Sequence, residues 1–176
     1  MRADPDPTEI IAMLSRTPGM LRAWLVGMPD AWLDANEGPE TFSARDVMGH
    51  LIDGERTDWV PRIRMILDAG ETRTFEPFDR FAFRATINGR TIESLCDEFA
   101  RLRHDNLVFV RELALTPDDL AKRGRHPAFG AVTLGQLLAT WTVHDLNHIG
   151  QIARVMSKRY ATAVGPWRDY LGILNR

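Results

Sequence analysis

The chain has 176 residues, of which 44% are apolar, and its formal net charge is −2. This length predicts a single domain over residues 1–176 with a substantial hydrophobic core. The small net charge gives no global field that would favour nucleic acid or an anionic membrane. Cys96 is the only cysteine, so a disulfide within the chain is excluded. Its place in a helical pattern favours a buried apolar residue over a reactive thiol.

Residues 1–7 are acidic and rich in proline, and they lack the apolar run of a signal peptide. No stretch reaches the ~18 consecutive apolar residues that a transmembrane helix needs. We therefore expect a cytoplasmic protein with neither a membrane nor a nucleic-acid partner.

Two segments with helical periodicity occupy the first half of the chain. The first covers residues 7–28, where Pro18 predicts either two helices or one broken helix. The second begins after Ser43, which has the character of an N-cap, and continues to about residue 68. We expect Pro61 to kink this second segment.

Two further helical segments cover residues 91–115 and about 133–158. The C-terminal residues 166–176 are expected to form a short helix or a packing tail. No segment alternates apolar and polar residues convincingly enough to predict a sheet. The sequence therefore predicts an all-α protein, an up-and-down four-helix bundle with a long loop between the second and third helices.

This long loop, residues 70–90, contains Phe75, Phe78, Phe81 and Phe83. Loops of this length often have a function, as lids or interface elements. Alternatively, the four phenylalanines simply pack the loop onto the bundle. The sequence leaves both interpretations open.

His144 and His148 are the most informative residues of the chain, because they are four residues apart in the fourth helical segment. Positions i and i+4 lie on the same helix face, so two imidazoles spaced in this way can bind one metal ion. The same face carries Trp141 and Ile152, which predicts that both imidazoles point inward.

His50 supplies a third candidate ligand on the inward face of the second segment, between Val47 and Leu51. Metal sites in helix bundles are built from side chains on facing helices. Three histidines leave one coordination position open for water or substrate, which is typical of a catalytic rather than a structural zinc site. The sequence thus predicts a divalent metal bound by His50 and the histidine pair.

Several polar neighbours are candidates for supporting these ligands. Asp53 and Asp46 are expected to orient His50, and Gln151 could reach the edge of the site from its position three residues after His148. By helical geometry, Asp145 points away from the pair, towards a neighbouring helix or a dimer partner.

The other two histidines have different surroundings. His126 lies in a turn-rich loop before the fourth helix, where it is either an acid/base or substrate-contacting group or a surface histidine. His104 lies between Arg101 and Asp105, and we expect this group, including Arg103, on a solvated helix face.

Three segments together resemble the DinB/YfiT-like superfamily. Residues 41–51 read TFSARDVMGHL and resemble the segment that leads into the first ligand histidine of that family. Residues 124–127, GRHP, resemble a loop of one branch of the family, and residues 141–152, WTVHDLNHIGQI, resemble its ligand helix. The order and spacing of these segments agree over nearly the whole chain.

The resemblance implies a four-helix bundle, commonly a homodimer, with a divalent metal such as zinc or nickel on His50, His144 and His148. It implies no single reaction, since relatives include S-transferases and isomerases that use low-molecular-weight thiols. We therefore expect a metal-dependent hydrolase or thiol transferase acting on a small-molecule substrate. The alternative is a non-catalytic, stress-related metal-binding protein that dimerises.

Overall fold

The computed structural model describes residues 5–175; residues 1–4, which include part of the acidic N-terminal stretch, and residue 176 lie outside this range. Within it the chain forms nine α-helices and one two-stranded sheet. The helices are α1 (Pro7–Leu14), α2 (Thr17–Leu25), α3 (Asp30–Leu33), α4 (Ala44–Thr57), α5 (Trp59–Ala69), α6 (Arg84–Ile87), α7 (Ile92–Glu112), α8 (Pro117–Ala121) and α9 (Leu134–Ser157). Short 3-10 helices cover Gly70–Thr72, Lys158–Tyr160, Gly165–Tyr170 and Gly172–Asn175.

The first helical segment is two helices, as one of the two interpretations predicted. Asp6 caps α1 by accepting a hydrogen bond from the backbone N–H of Thr8, and Pro7 follows at the first helical position. The helical segment is interrupted at Ser15 and Arg16. Pro18 then lies in the first turn of α2, where its missing N–H costs no helical hydrogen bond.

The second segment is interrupted between α4 and α5. Ser43 and Asp46 form a capping box at the start of α4. Asp58 separates the two helices with backbone angles of φ −111° and ψ −65°. Because Pro61 has no N–H and its ring crowds the carbonyl of Thr57, the regular helix cannot continue through this point. The predicted kink is therefore confirmed, as a break three residues before the proline.

The four segments α1–α2, α4–α5, α7 and α9 form the bundle. Helix α4 packs on both α7 and α9, while α2 packs on α7 and α1 on α9. Each long helix buries one face in two adjoining apolar clusters. This arrangement confirms the predicted all-α four-helix bundle. In residues 5–175, no helix is both long and apolar enough to span a bilayer.

The loop between α5 and α7 packs onto the bundle through its aromatic side chains. Phe75 and Phe83 are fully buried, and Phe78 and Phe81 are half-buried. Phe83 and Phe81 both meet Phe42 in edge-to-face contacts, with ring centroids 5.2 and 5.7 Å apart. The phenylalanines therefore pack this loop onto the bundle.

No sheet was expected from the sequence, but the structure contains a small one. Strands β1 (Arg123–His126) and β2 (Gly130–Thr133) form an antiparallel hairpin before α9. The long loop adds to it, because the backbone N–H of Phe75 donates to the carbonyl of Arg125 at 2.9 Å. Strands of four residues are too short to show a reliable alternation of apolar and polar residues.

Candidate metal centre

The structure brings His50, His144 and His148 together between α4 and α9. One ring nitrogen of each lies within 4.8 Å of the other two. The Nε2 atom of His144 is 3.1 Å from Nε2 of both His50 and His148. His50 and His148 are buried, and His144 is half-buried. The cluster therefore combines the predicted i, i+4 pair with a third nitrogen from the facing helix.

Aromatic side chains hold the three rings in place. The His50 ring packs against Phe42 and Phe78, each with centroids 5.4 Å apart, and the His144 ring meets Trp59 edge-on at 5.1 Å. Trp59 is in turn stacked on Trp141 at 5.5 Å. The interruption of the helix at Asp58 thus places Trp59, the first residue of α5, beside the cluster.

Gln151 contacts the cluster as the sequence suggested. Its Oε1 lies 2.8 Å from Nδ1 of His148. Since an amide oxygen only accepts hydrogen bonds, His148 carries its proton on Nδ1 and directs the Nε2 lone pair at the cluster. The buried Nδ1 atoms of His50 and His144 have no hydrogen-bond partner within residues 5–175.

Burial keeps the three imidazoles neutral. It lowers the pKa of His144 to about 3 and that of His50 to about 4, and the neighbouring His148 acts in the same direction on both. Burial also lowers the pKa of His148, although the hydrogen bond with Gln151 opposes this shift. A neutral imidazole is the form that binds metal, so the cluster is ready to act as ligand at neutral pH.

The spacing of the nitrogens suits a divalent cation. Nitrogens bound at about 2.0–2.1 Å to a tetrahedral cation lie about 3.3 Å from one another. The observed Nε2 separations of 3.1 Å are close to this value. A neutral imidazole has one unprotonated ring nitrogen, so each of the three rings can direct a lone pair at a cation between them. The residues present therefore fit a three-histidine metal site with one position open.

Neither predicted partner of His50 makes that contact, so this part of the prediction is wrong. Asp46 is engaged with Ser43 in the capping box. Asp53 is half-buried on α4, and no hydrogen bond joins its side chain to His50 within residues 5–175. Residues three and four apart share a helix face but need not touch, because side chains on α4 diverge towards different neighbours.

A buried ion-pair network, absent from the sequence prediction, lies beside the cluster. His104 is exposed as expected, but Arg103 is 1% exposed instead of solvated. Arg103 binds Glu55 at 2.8 Å and Asp145 at 2.6 Å. Asp145 thus contacts a neighbouring helix, which was one of its two predicted alternatives. The sequence did carry a signal for this burial, since Arg103 is four residues after Phe99 and four before Leu107, on the apolar face of α7.

Among the cavities that reach the histidines, two meet the cluster from different sides. One, of about 500 Å³, reaches His50 and His144 and also contains His126, Asp58 and Arg62. Its apolar wall is formed by Trp59, Phe75, Phe78, Pro127, Val132 and Leu137. The other cavity, of about 360 Å³, reaches His50 and His148 and is polar, with Arg80, Asn147, Gln151 and Arg154 in its wall. A larger open groove of about 910 Å³ around Arg45 is lined by other residues.

Comparison with known proteins agrees with the fold. The family model of the DinB superfamily matches residues 13–152, and the chain belongs to this superfamily. A protein of Oceanobacillus iheyensis named "Putative metal-dependent hydrolase OB0782" is 20% identical over 159 residues, which cover 86% of each chain. The solved structure of YfiT from Bacillus subtilis is similar with a TM-score of 0.74 and 22% identity, over 92% of this chain and 91% of that one. YfiT is described as a probable metal-dependent hydrolase with an unusual four-helix bundle topology.

Proposed function

We propose that this protein is a metal-dependent enzyme in which His50, His144 and His148 bind one divalent cation. The observation that carries the proposal is the convergence of three neutral, buried imidazole nitrogens from two facing helices. With three protein ligands, one coordination position stays available to water or substrate. The donor set of three imidazoles suits zinc or nickel.

A divalent cation held by these three histidines would lower the pKa of a water or thiol bound to it and so would provide a nucleophile near neutral pH. Gln151 keeps the Nε2 lone pair of His148 directed at the site. Trp59 and Phe78 pack against the rings of His144 and His50. The chain thus provides the ligands, their orientation and aromatic support for two of the rings.

Hydrolysis of a small-molecule substrate is the reaction we favour, because both similar proteins carry the name of a metal-dependent hydrolase. Thiol transfer is the second candidate. The polar cavity beside His148, with Arg80 and Arg154 in its wall, would suit a polar, low-molecular-weight thiol as co-substrate.

Metal analysis tests the proposal directly. Protein purified under metal-replete conditions is expected to contain one divalent cation per chain, and His144→Ala is expected to lose it. The matched control is His104→Ala, since His104 is an exposed histidine on α7. Activity is then screened on ester, amide and thioether substrates with all three proteins. Wild-type protein without stoichiometric metal, or His144→Ala with full metal content, would contradict the proposal.

We also propose that the protein forms a homodimer through the outer face of α9. Such a dimer is compatible with an enzyme and also with a non-catalytic, stress-related metal-binding protein. Val143 and Leu146 on this face are 62% and 48% exposed, and Ile173 lies beside Leu146. Leu146→Glu should shift the sedimentation equilibrium to monomer. The control Val108→Glu alters an exposed valine of α7 and should leave the oligomeric state unchanged.

A further inference from the structure

The apolar cavity beside His50 and His144 has the size and the walls of a small-molecule site. Its volume of about 500 Å³ lies within the range of about 300–1,000 Å³ that is usual for ligand pockets. The walls come from α4, α5, the long loop, the hairpin and α9. Most of the wall is aromatic or aliphatic, so a ligand must present an apolar surface of similar extent.

Asp58 is the only carboxylate among the described residues that line this cavity. It lies at the break between α4 and α5 and is 8% exposed. Its Oδ1 is 2.7 Å from Nη2 of Arg62, and no donor among residues 5–175 is bonded to Oδ2. An ionised carboxylate only accepts hydrogen bonds, so Oδ2 is available to an O–H or N–H group inside the cavity.

The guanidinium of Arg62 is not available to an anionic ligand. Besides Asp58, its guanidinium contacts the carbonyl of Glu76 at 3.3 Å and lies 5.3 Å from the centre of the Phe75 ring. The cavity therefore offers an acceptor but no uncommitted cation. A carboxylate or phosphate ligand would meet the charge of Asp58 without a compensating partner.

His126 adds a neutral donor at the hairpin. Its Nδ1 accepts hydrogen bonds from the backbone N–H groups of Ala128 at 3.1 Å and Phe129 at 3.3 Å. The proton of the neutral ring is consequently on Nε2. The Phe129 ring, stacked on His126 at 4.4 Å, fixes the ring plane.

We propose that this cavity is the substrate pocket of the enzyme and binds a small molecule with a ring-sized apolar body and one hydroxyl or protonated amine, which donates to Asp58. This inference rests on the proposed function only where it calls the ligand a substrate, because the binding itself needs no metal. The apolar body lies between Trp59 and Leu137, with its other end towards His50 and His144.

The electrostatics of Asp58 support this ligand class. Burial raises the pKa of Asp58 to about 6; Arg62 opposes the shift, and Asp53 adds to it. The carboxylate is thus less well stabilised than in water, and a donor from the ligand supplies the missing hydrogen bond. A hydrogen bond to a charged group of this kind changes affinity by about tenfold or more.

The test is a titration followed by NMR on the metal-free, chelator-treated full chain at pH 8. Trp59 lines the cavity, so its indole N–H resonance reports on this site and not on the polar cavity beside His148. That resonance is assigned among the five tryptophans with Trp59→Phe. The probes share one ring and differ in the head group: benzylamine, benzyl alcohol, toluene and benzoate.

Benzylamine and benzyl alcohol are expected to shift the Trp59 resonance with affinities about tenfold above that of toluene, and benzoate is expected to bind most weakly. Asp58→Asn should remove the preference for benzylamine, while Asp68→Asn, an exposed position on α5, should keep it. Thr140→Phe places a bulky ring at an exposed position of the cavity wall and should abolish the response to every probe.

Two results would overturn the inference: benzoate acting on Trp59 as strongly as benzylamine, or an unchanged probe order in folded Asp58→Asn. If Asp58→Asn fails to fold, the order of the four probes on wild type and their loss in Thr140→Phe decide alone. Absence of binding in a protein that holds stoichiometric metal refutes this ligand class and leaves the proposed function standing. Binding in a protein that takes up no metal refutes the proposed function instead.

Discussion

Arg103 holds Asp145 with two hydrogen bonds, from Nη1 to Oδ2 at 2.6 Å and from Nη2 to Oδ1 at 2.9 Å. Asp145 immediately follows His144 in α9. The same guanidinium binds Glu55 of α4 and the carbonyl of Leu14 at the end of α1. One side chain of α7 therefore connects all four segments of the bundle and fixes the rotation of the helix that carries the histidine pair.

Loss of this arginine should be strongly destabilising. Arg103→Met leaves Glu55 and Asp145 buried without their cation, which typically costs about 3–5 kcal/mol. Urea denaturation measures the free energy of unfolding. Arg101→Met, an exposed position on the same helix, should change it by less than about 1 kcal/mol because surface ion pairs contribute little. Equal effects at both positions would contradict the role assigned to Arg103.

Metal retention should depend on Gln151. In Gln151→Leu, the Nδ1–H of His148 loses its acceptor. The loss of such a partner usually lowers metal affinity by about 10–100-fold. Competition with a chromogenic chelator measures the affinity. Asp53→Asn is the matched control, since Asp53 makes no hydrogen bond with His50 in residues 5–175; a similar loss there would restore the sequence-based prediction for Asp53.

Asp58 should make stability depend on pH. Its pKa is raised from 3.8 to about 6, so the folded state binds the proton more tightly than the unfolded state. The contribution to stability is therefore complete below about pH 4 and is lost as the pH rises through 6. At about 1.4 kcal/mol per pH unit, the difference amounts to at most about 3 kcal/mol.

The neutral variant Asp58→Asn should for this reason be more stable than wild type at pH 8, with the gap closing towards pH 4. Thermal denaturation across this range measures the effect. Asp68→Asn should follow the wild-type pH dependence, because Asp68 is exposed. A wild-type advantage at pH 8 would show that the ion pair with Arg62 outweighs the burial of the carboxylate.

Gly49 should not tolerate a side chain. A Cβ atom there would lie 2.5 Å from Cγ2 of Ile87 and 2.6 Å from Cδ2 of Phe83, two buried residues that attach the long loop to α4. Gly49→Ala is expected to destabilise the fold by about 1–3 kcal/mol through overpacking. Gly19→Ala meets no atom within 4 Å and should be neutral or slightly stabilising. Denaturant unfolding of both variants provides the comparison.

The helices and the histidine cluster were predictable because their signals are local or periodic. Ser43 and Pro61 mark helix boundaries through their own hydrogen-bonding chemistry, wherever the segment packs. His144 and His148 share a face by helical geometry alone, and His50 follows from the inward face of a second helix. These inferences needed only the assumption that apolar faces meet.

The ionic partners of Arg103 and the position of the Asp58 carboxylate were not predictable in this way, although the periodicity of α7 places Arg103 on its apolar face. Arginine and aspartate are usually exposed, and only the tertiary structure shows that carboxylates from α4 and α9 surround Arg103. Asp58 faces the cavity because the helix breaks before Pro61, and the direction of the chain after such a break is set by packing. The hairpin was missed for a different reason, because strands of four residues are too short to show alternation of apolar and polar residues.

The backbone hydrogen bond from Phe75 to Arg125 joins the long loop to the hairpin. The three histidines belong to α4 and α9, whereas much of the cavity wall belongs to these two connections. A change in either connection would therefore alter the shape of the cavity, while the backbone positions of the three histidines are set by the packing of α4 on α9. The bundle thus supplies the three nitrogens, and the connections between its helices supply much of the cavity wall beside them.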